Sequence, residues 1–94
     1  MRFEWDESKA AGNLAKHGVS FAEASTVFGD PLSDTFNDPD HSSGEHRFII
    51  VGRSESGRML VVAHADGGQA VRIISAREPT SRERRFYEEG RNRS

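Results

Sequence analysis

The apolar residues of this chain fall into short groups set apart by polar, glycine and proline positions, and the spacing inside each group predicts an element. Phe3 and Trp5, two apart, mark one face of a short first strand. Asp6 is placed to cap a helix to about His17, with Ala10, Leu14 and His17 on one face and Gly18 ending it. Ser20-Phe21-Ala22-Glu23 is a capping box that opens a second helix. That helix is expected to bury Phe21, Ala24, Val27 and Phe28 and to stop at Gly29-Asp30-Pro31. Leu32 to Phe36 predicts a strand suited to a sheet edge, and Asn37 to Glu45 a polar loop. Arg47–Arg53, Arg58–Asp66 and Gln69–Glu78, rich in Ile and Val, predict three hairpin-connected strands. Pro79 closes the last of them, and Thr80-Ser81-Arg82-Glu83 is a second capping box, for a helix to about Gly90.

Helices separated from a run of hairpin strands make an α+β domain: two N-terminal helices, an antiparallel sheet of about four strands, and a C-terminal helix. The expected organisation is one domain over residues 1–94. Residues 1–30 form its helical hairpin, 31–78 the sheet and 80–90 the last helix. Reading Gly67-Gly68 as a two-residue turn sets His64 opposite Val71, Val62 opposite Ile73, Leu60 opposite Ser75 and Arg58 opposite Arg77. A four-residue loop from Ser54 to Gly57 sets Arg53 opposite Arg58. Arg53, Arg58 and Arg77 then cluster on one face at one end of the sheet, with Arg47 and His64 facing the same way at the other end. A one-residue slip in that loop would move the Arg47–Arg53 strand to the opposite face.

Composition narrows the picture. Ninety-four residues make one domain, and the nineteen Leu, Ile, Val and Phe residues give it a thin core. The absence of cysteine removes disulfides and thiolate metal sites. Met1 to Asp6 does not read as a signal peptide, and the longest apolar run, Met59 to Ala63, is too short to span a bilayer, so a cytoplasmic protein is expected. The net charge of −2 conceals an asymmetry: residues 1–45 balance to −6, and residues 46–94, with ten Arg and no Lys, to +4. Guanidinium groups grip two phosphate oxygens at once, so an arginine-only basic half suits phosphate recognition. A solvated charged surface accounts for the same composition.

Several segments carry a family resemblance. Phe3-Glu4-Trp5-Asp6, Lys16-His17-Gly18-Val19-Ser20-Phe21, Ala24, Val27-Phe28, Asp30-Pro31, Gly52-Arg53, Arg72-Ile73-Ile74-Ser75-Ala76-Arg77 and Arg84-Arg85-Phe86-Tyr87-Glu88-Glu89 stand in an order and at spacings that resemble the BrnT toxins. The resemblance runs from residue 3 to residue 90. It implies a RelE-like fold and a toxin of a type II toxin–antitoxin system that cuts RNA to arrest translation. It also implies a BrnA-like antitoxin partner with a ribbon-helix-helix domain, through which alone operator DNA is bound. Toxins of this kind are often basic, and this chain is mildly acidic.

Metal-free RNA cleavage needs a group to take the 2′-hydroxyl proton, a group to stabilise the phosphorane, and a group to protonate the leaving 5′-oxygen. Arginine suits the second task and, with a pKa above 12, neither of the others. Arg53 and Arg77 are the candidates for it; surface arginines bridging Glu55 and Glu78 are the alternative. His64 and His17 are the candidates for proton transfer. Against them stand a packing role for His64 and, for His17, a core histidine bonded to its helix end. Arg58, Arg72, Arg82 and Arg85 are candidates for RNA contact, although Arg84 with Glu88 and Arg85 with Glu89 also read as ordinary i,i+4 pairs. Tyr87 reads as a packing residue or a catalytic phenol. The stretch Asp38-Pro39-Asp40-His41 with Glu45-His46 has no standard metal-ligand spacing, and neither metal nor other cofactor is expected.

Overall fold

The computed structural model describes residues 1–38 and 46–91. Strand β1 (Phe3–Glu4) leads into helix α1 (Glu7–His17), then α2 (Phe21–Thr26) and a 3₁₀ turn over Val27–Gly29. Strands β2 (Asp34–Asn37), β3 (Arg47–Arg53), β4 (Met59–Asp66) and β5 (Val71–Arg77) precede helix α3 (Ser81–Arg91). The sheet order is β1-β5-β4-β3-β2. Among the described residues it has five strands and is mixed rather than four-stranded and antiparallel, because β1 lies at the outer edge and pairs parallel with β5.

The caps form as the sequence suggests. Asp6 accepts from the Lys9 backbone N–H and Ser20 Oγ from that of Glu23. Gly18 sits at φ 69°, a left-handed conformation suited to glycine at a helix end. Helix α2 stops sooner than expected, at Thr26, where the chain tightens into the 3₁₀ turn that carries Val27 and Phe28.

Helix α1 departs from its apolar pattern. Leu14 is 52% exposed, and the residue that α1 buries is Asn13. Strand β1 covers only Val71 and Arg72 of β5. Further along that edge the Asn13 carboxamide takes the place of a neighbouring strand: it accepts from Ala76 N at 3.1 Å and donates to Ala76 O at 2.8 Å. It also donates to Val19 O at 2.9 Å, which ties the α1–α2 turn to the sheet.

The strand register differs from the expected one at two places. Arg53 pairs with Met59, one residue beyond Arg58, because Ser54 N–H bonds Arg58 O and the connection takes in five residues. The β4–β5 connection spans four residues, Gly67 to Ala70, closed by Gly67 N–H to Ala70 O, so that Asp66 pairs with Val71. A bulge after Ala63 then adds an odd residue, and Arg77 pairs with Val61. Each shift is odd, so each flips its strand relative to Arg58. Arg53 and Arg77 move together, and Arg58 is left on the other face.

The two faces therefore have distinct partners. Ile50, Leu60, Val62, Ile73 and Ala76 meet Val19, Phe21, Ala24 and Val27 under α1 and α2 in the main core. Burying a side chain such as Phe21 contributes about 2–3 kcal/mol. On the reverse face Val51, Met59 and Val61 form a smaller cluster against Ile49 and Tyr87 of α3.

Candidate active site

Cross-strand partners share a face, so the reverse side carries Arg53 with Met59, and Val51 with Val61 and Arg77. Arg47 and Arg72 flank Ala65 on the same side at the far end. Four arginines thus line one sheet face, two at each end. Arg53 is exposed and its Nη1 donates to Gly57 O at 2.9 Å, while its backbone N–H is held by Asp30 Oδ2 at 2.8 Å.

Arg77 is gripped more firmly. Its Nη1 meets Glu83 Oε1 at 2.7 Å and its Nη2 meets Oε2 at 3.0 Å. Glu83 is also the capping-box carboxylate of α3, accepting from Thr80 N–H at 2.9 Å while its own N–H bonds Thr80 Oγ1. The Arg77 fork, and then the Thr80 N–H, lower the Glu83 carboxyl from its ordinary 4.5 to about 2. Tyr87, one turn further along α3, packs on the small cluster and lies 5.9 Å from the Phe36 ring, centroid to centroid. Burial first, and then the Glu83 charge, raise its phenol above the ordinary value. An ionised carboxylate, a protonated phenol and two arginines therefore occupy one face.

The other candidates lie elsewhere. Arg58, on the helix side, forms a second fork: Nε to Glu23 Oε2 at 2.9 Å and Nη2 to Oε1 at 2.7 Å, with Nη2 also donating to Gly18 O. Ser54 Oγ and Ser56 Oγ complete the Glu23 carboxylate, which is lowered to about 2, chiefly by Arg58. Arg58 is thereby committed to joining α2 to the β3–β4 loop, and the three-arginine cluster does not form. It is Arg58, not Arg53 or Arg77, that reaches the Glu78 carboxylate.

His64 faces away from the arginines. The residue is 7% exposed, with its ring edge-on to Phe28 at 4.8 Å and stacked near Phe48 at 5.6 Å, and burial pushes its pKa down. His17 is half-buried at the end of α1, also on the helix side. Neither histidine stands with Arg53 and Arg77. Arg72 lines a cleft of about 170 Å³ with Asp6, Lys9 and Arg47, while Arg82 and Arg85 are exposed on α3.

Among the described residues no three His, Asp or Glu side chains are grouped to hold a metal ion. Of the acidic stretch 38–46, residues 39–45 lie outside the described residues. No described helix is long and apolar enough to cross a membrane.

Glu83 escaped the sequence reading as a site residue, although its place was legible. A capping-box carboxylate six positions after a strand-end arginine, across a proline turn, has little room except beside it.

A family model described as the ribonuclease toxin, BrnT, of type II toxin–antitoxin systems matches residues 5–83. The fold is also similar to the 1.1 Å crystal structure of the Brucella abortus ribonuclease toxin BrnT. That match has a TM-score of 0.66 and 25% identity, and covers 86% of this chain and 99% of that one. No curated protein sequence matches the chain.

Proposed function

The chain belongs to the BrnT family of ribonuclease toxins from type II toxin–antitoxin systems, and on that footing we propose that it is a metal-independent endoribonuclease working at the Arg53–Arg77 face. The observation that carries this reading is the shared face itself, with Glu83 and Tyr87 brought beside Arg77 by α3. In the proposed reaction the 2′-oxygen of RNA attacks the adjacent phosphorus and the P–O5′ bond breaks, giving a 2′,3′-cyclic phosphate and a 5′-hydroxyl. Arg53 and Arg77 stabilise the charge on the phosphorane oxygens.

Proton transfer falls to Glu83 and Tyr87. A carboxylate lowered to about 2 is a weak base, and the Arg77 fork is the main cause. A phosphate that takes over that fork removes the main stabiliser, so Glu83 becomes basic when substrate is bound. It accepts the 2′-hydroxyl proton, and Tyr87 gives its proton to the leaving 5′-oxygen.

A second reading rests on the same ion pair. With the Arg77 fork filled by Glu83, the face also suits a non-catalytic module that binds its antitoxin and shares in operon repression. The partner proposed for either reading is a BrnA-like ribbon-helix-helix antitoxin, through which alone operator DNA is contacted. Leu32, Phe36 and Phe86, 66%, 42% and 69% exposed, offer it apolar surface. The proposed site of action is the cytoplasm.

Expression of the chain without its partner, with total RNA followed over time, separates the two readings. RNA loss and growth arrest support the nuclease; intact RNA and normal growth with folded, soluble protein support the module. Cleavage that persists in excess EDTA supports metal independence, and loss restored by one divalent ion overturns it.

A further inference from the structure

A row of rings crosses the helix-side face at the end of the sheet away from Arg53 and Arg77. His46 stacks on Phe48, with centroids 4.5 Å apart and planes 13° apart, and Phe48 continues to His64 at 5.6 Å and 23°. His64 meets Phe28 edge-on at 4.8 Å. Pairing of Phe48 with His64 across β3 and β4 sets the middle of the row. Asn37 Oδ1, 2.9 Å from His46 Nε2, holds the last ring in place. The row is therefore a fixed platform ending in an exposed imidazole.

Beside it lies an open cleft of about 330 Å³. Phe28, Phe48 and Val71 make it apolar, and Thr35, Asp66 and His64 supply polar groups. Asp66 Oδ1 already accepts from Gly68 N–H. Among the described residues the Nδ1 atom of His64, a side chain more than nine-tenths buried, finds no hydrogen-bond partner. A buried polar atom left unpaired in a native site asks for an explanation, and no step of the proposed cleavage uses it.

We propose that this platform and cleft form a nucleobase subsite for single-stranded RNA, holding a base remote from the cleaved bond. Flat apolar walls with a few polar groups suit a heterocycle, and the volume is at the small end for a ligand site. Proteins take single-stranded RNA by stacking unpaired bases on Phe, Tyr, Trp or His rings. Charge suits the same occupant: Arg47, next in the chain to His46, and Arg72 lie on the reverse face of that sheet end, and a ribose-phosphate backbone rounding the strand ends would meet them. The inference deepens the ribonuclease reading, yet base binding is measurable without cleavage.

The test is titration of the chain with a 2′-O-methyl single-stranded oligonucleotide, resistant to cleavage at the 2′-position, that carries 2-aminopurine. The fluorescence of this base falls when it stacks. Quenching with saturable binding is expected, and His46→Ala and Phe48→Leu should each weaken binding about tenfold and reduce the quench. Circular dichroism verifies that both variants are folded; His46→Ala, which trims an exposed ring, keeps the test open if Phe48→Leu is not. No quenching by the wild-type chain, or equal affinity and quench in a folded variant, overturns the subsite. A chain that quenches the probe but leaves ordinary RNA intact retains the subsite and sinks the ribonuclease reading. A chain that cuts RNA without quenching does the reverse.

Discussion

Arg77 and Glu83 meet through two parallel hydrogen bonds, 2.7 and 3.0 Å long, that join the last residue of β5 to the first turn of α3. The same carboxylate closes the cap of α3. One side chain thus positions the helix, fixes the arginine fork and, in the proposed reaction, takes a proton.

Glu83→Gln separates these tasks. Glutamine still reaches the capping-box N–H and still offers an oxygen to Arg77, but it cannot accept the 2′-hydroxyl proton. Cleavage should fall by about 10²–10⁴-fold, the usual range for a general base, with the circular dichroism spectrum unchanged. A folded variant that cuts at the wild-type rate would reduce Glu83 to a structural residue.

Much of this was legible in the sequence, and the parts that were not have physical reasons. The caps at Asp6, Ser20 and Thr80 and the turn at Gly18 were readable because each rests on local chemistry. The sharing of one face by Arg53 and Arg77 was also anticipated, although by a register that does not occur. Two odd shifts, one in the Ser54–Arg58 loop and one at the Ala63 bulge, cancel for that pair and expel Arg58. Loop lengths and bulges depend on tertiary fit and leave little mark on hydrophobic alternation. Asn13 was invisible for the opposite reason. Periodicity counts apolar residues, and α1 is anchored by a polar one.

Asn13→Leu should therefore cost more than its modest change in size suggests. The Ala76 N–H and C=O and the Val19 C=O lose their Asn13 bonds in the interior. Each buried group left unsatisfied costs about 1–3 kcal/mol. Chemical denaturation should show a loss of at least about 3 kcal/mol. A variant as stable as the parent would mean that the edge of β5 finds other partners.

Acid should loosen the fold through two carboxylates. Glu23 and Glu83 are both lowered from 4.5 to about 2 in the folded chain. A depressed folded value stabilises above the unfolded value and is lost as pH falls toward the folded one. Their contributions are complete above about pH 4.5 and should disappear between there and about pH 2. Glu23→Gln should make unfolding free energy less steep across that window. An unchanged pH profile in this variant would mean that the Arg58 fork does not stabilise the fold.

Single-turnover cleavage of a short RNA by Arg53→Ala and Arg77→Ala tests the arginine face most directly. The exposed cation Lys16, on α1, supplies the control Lys16→Ala, and circular dichroism verifies folding. Removing a well-placed donor to transition-state charge costs roughly 3–4 kcal/mol, or two to three orders of magnitude in rate. Arg→Lys at either position should recover only part, since lysine keeps the charge and loses the two-point grip. Both alanine variants should fall by that amount while Lys16→Ala cuts at the parent rate. Near-equal rates for all three folded variants would contradict the account and place the chemistry away from this face.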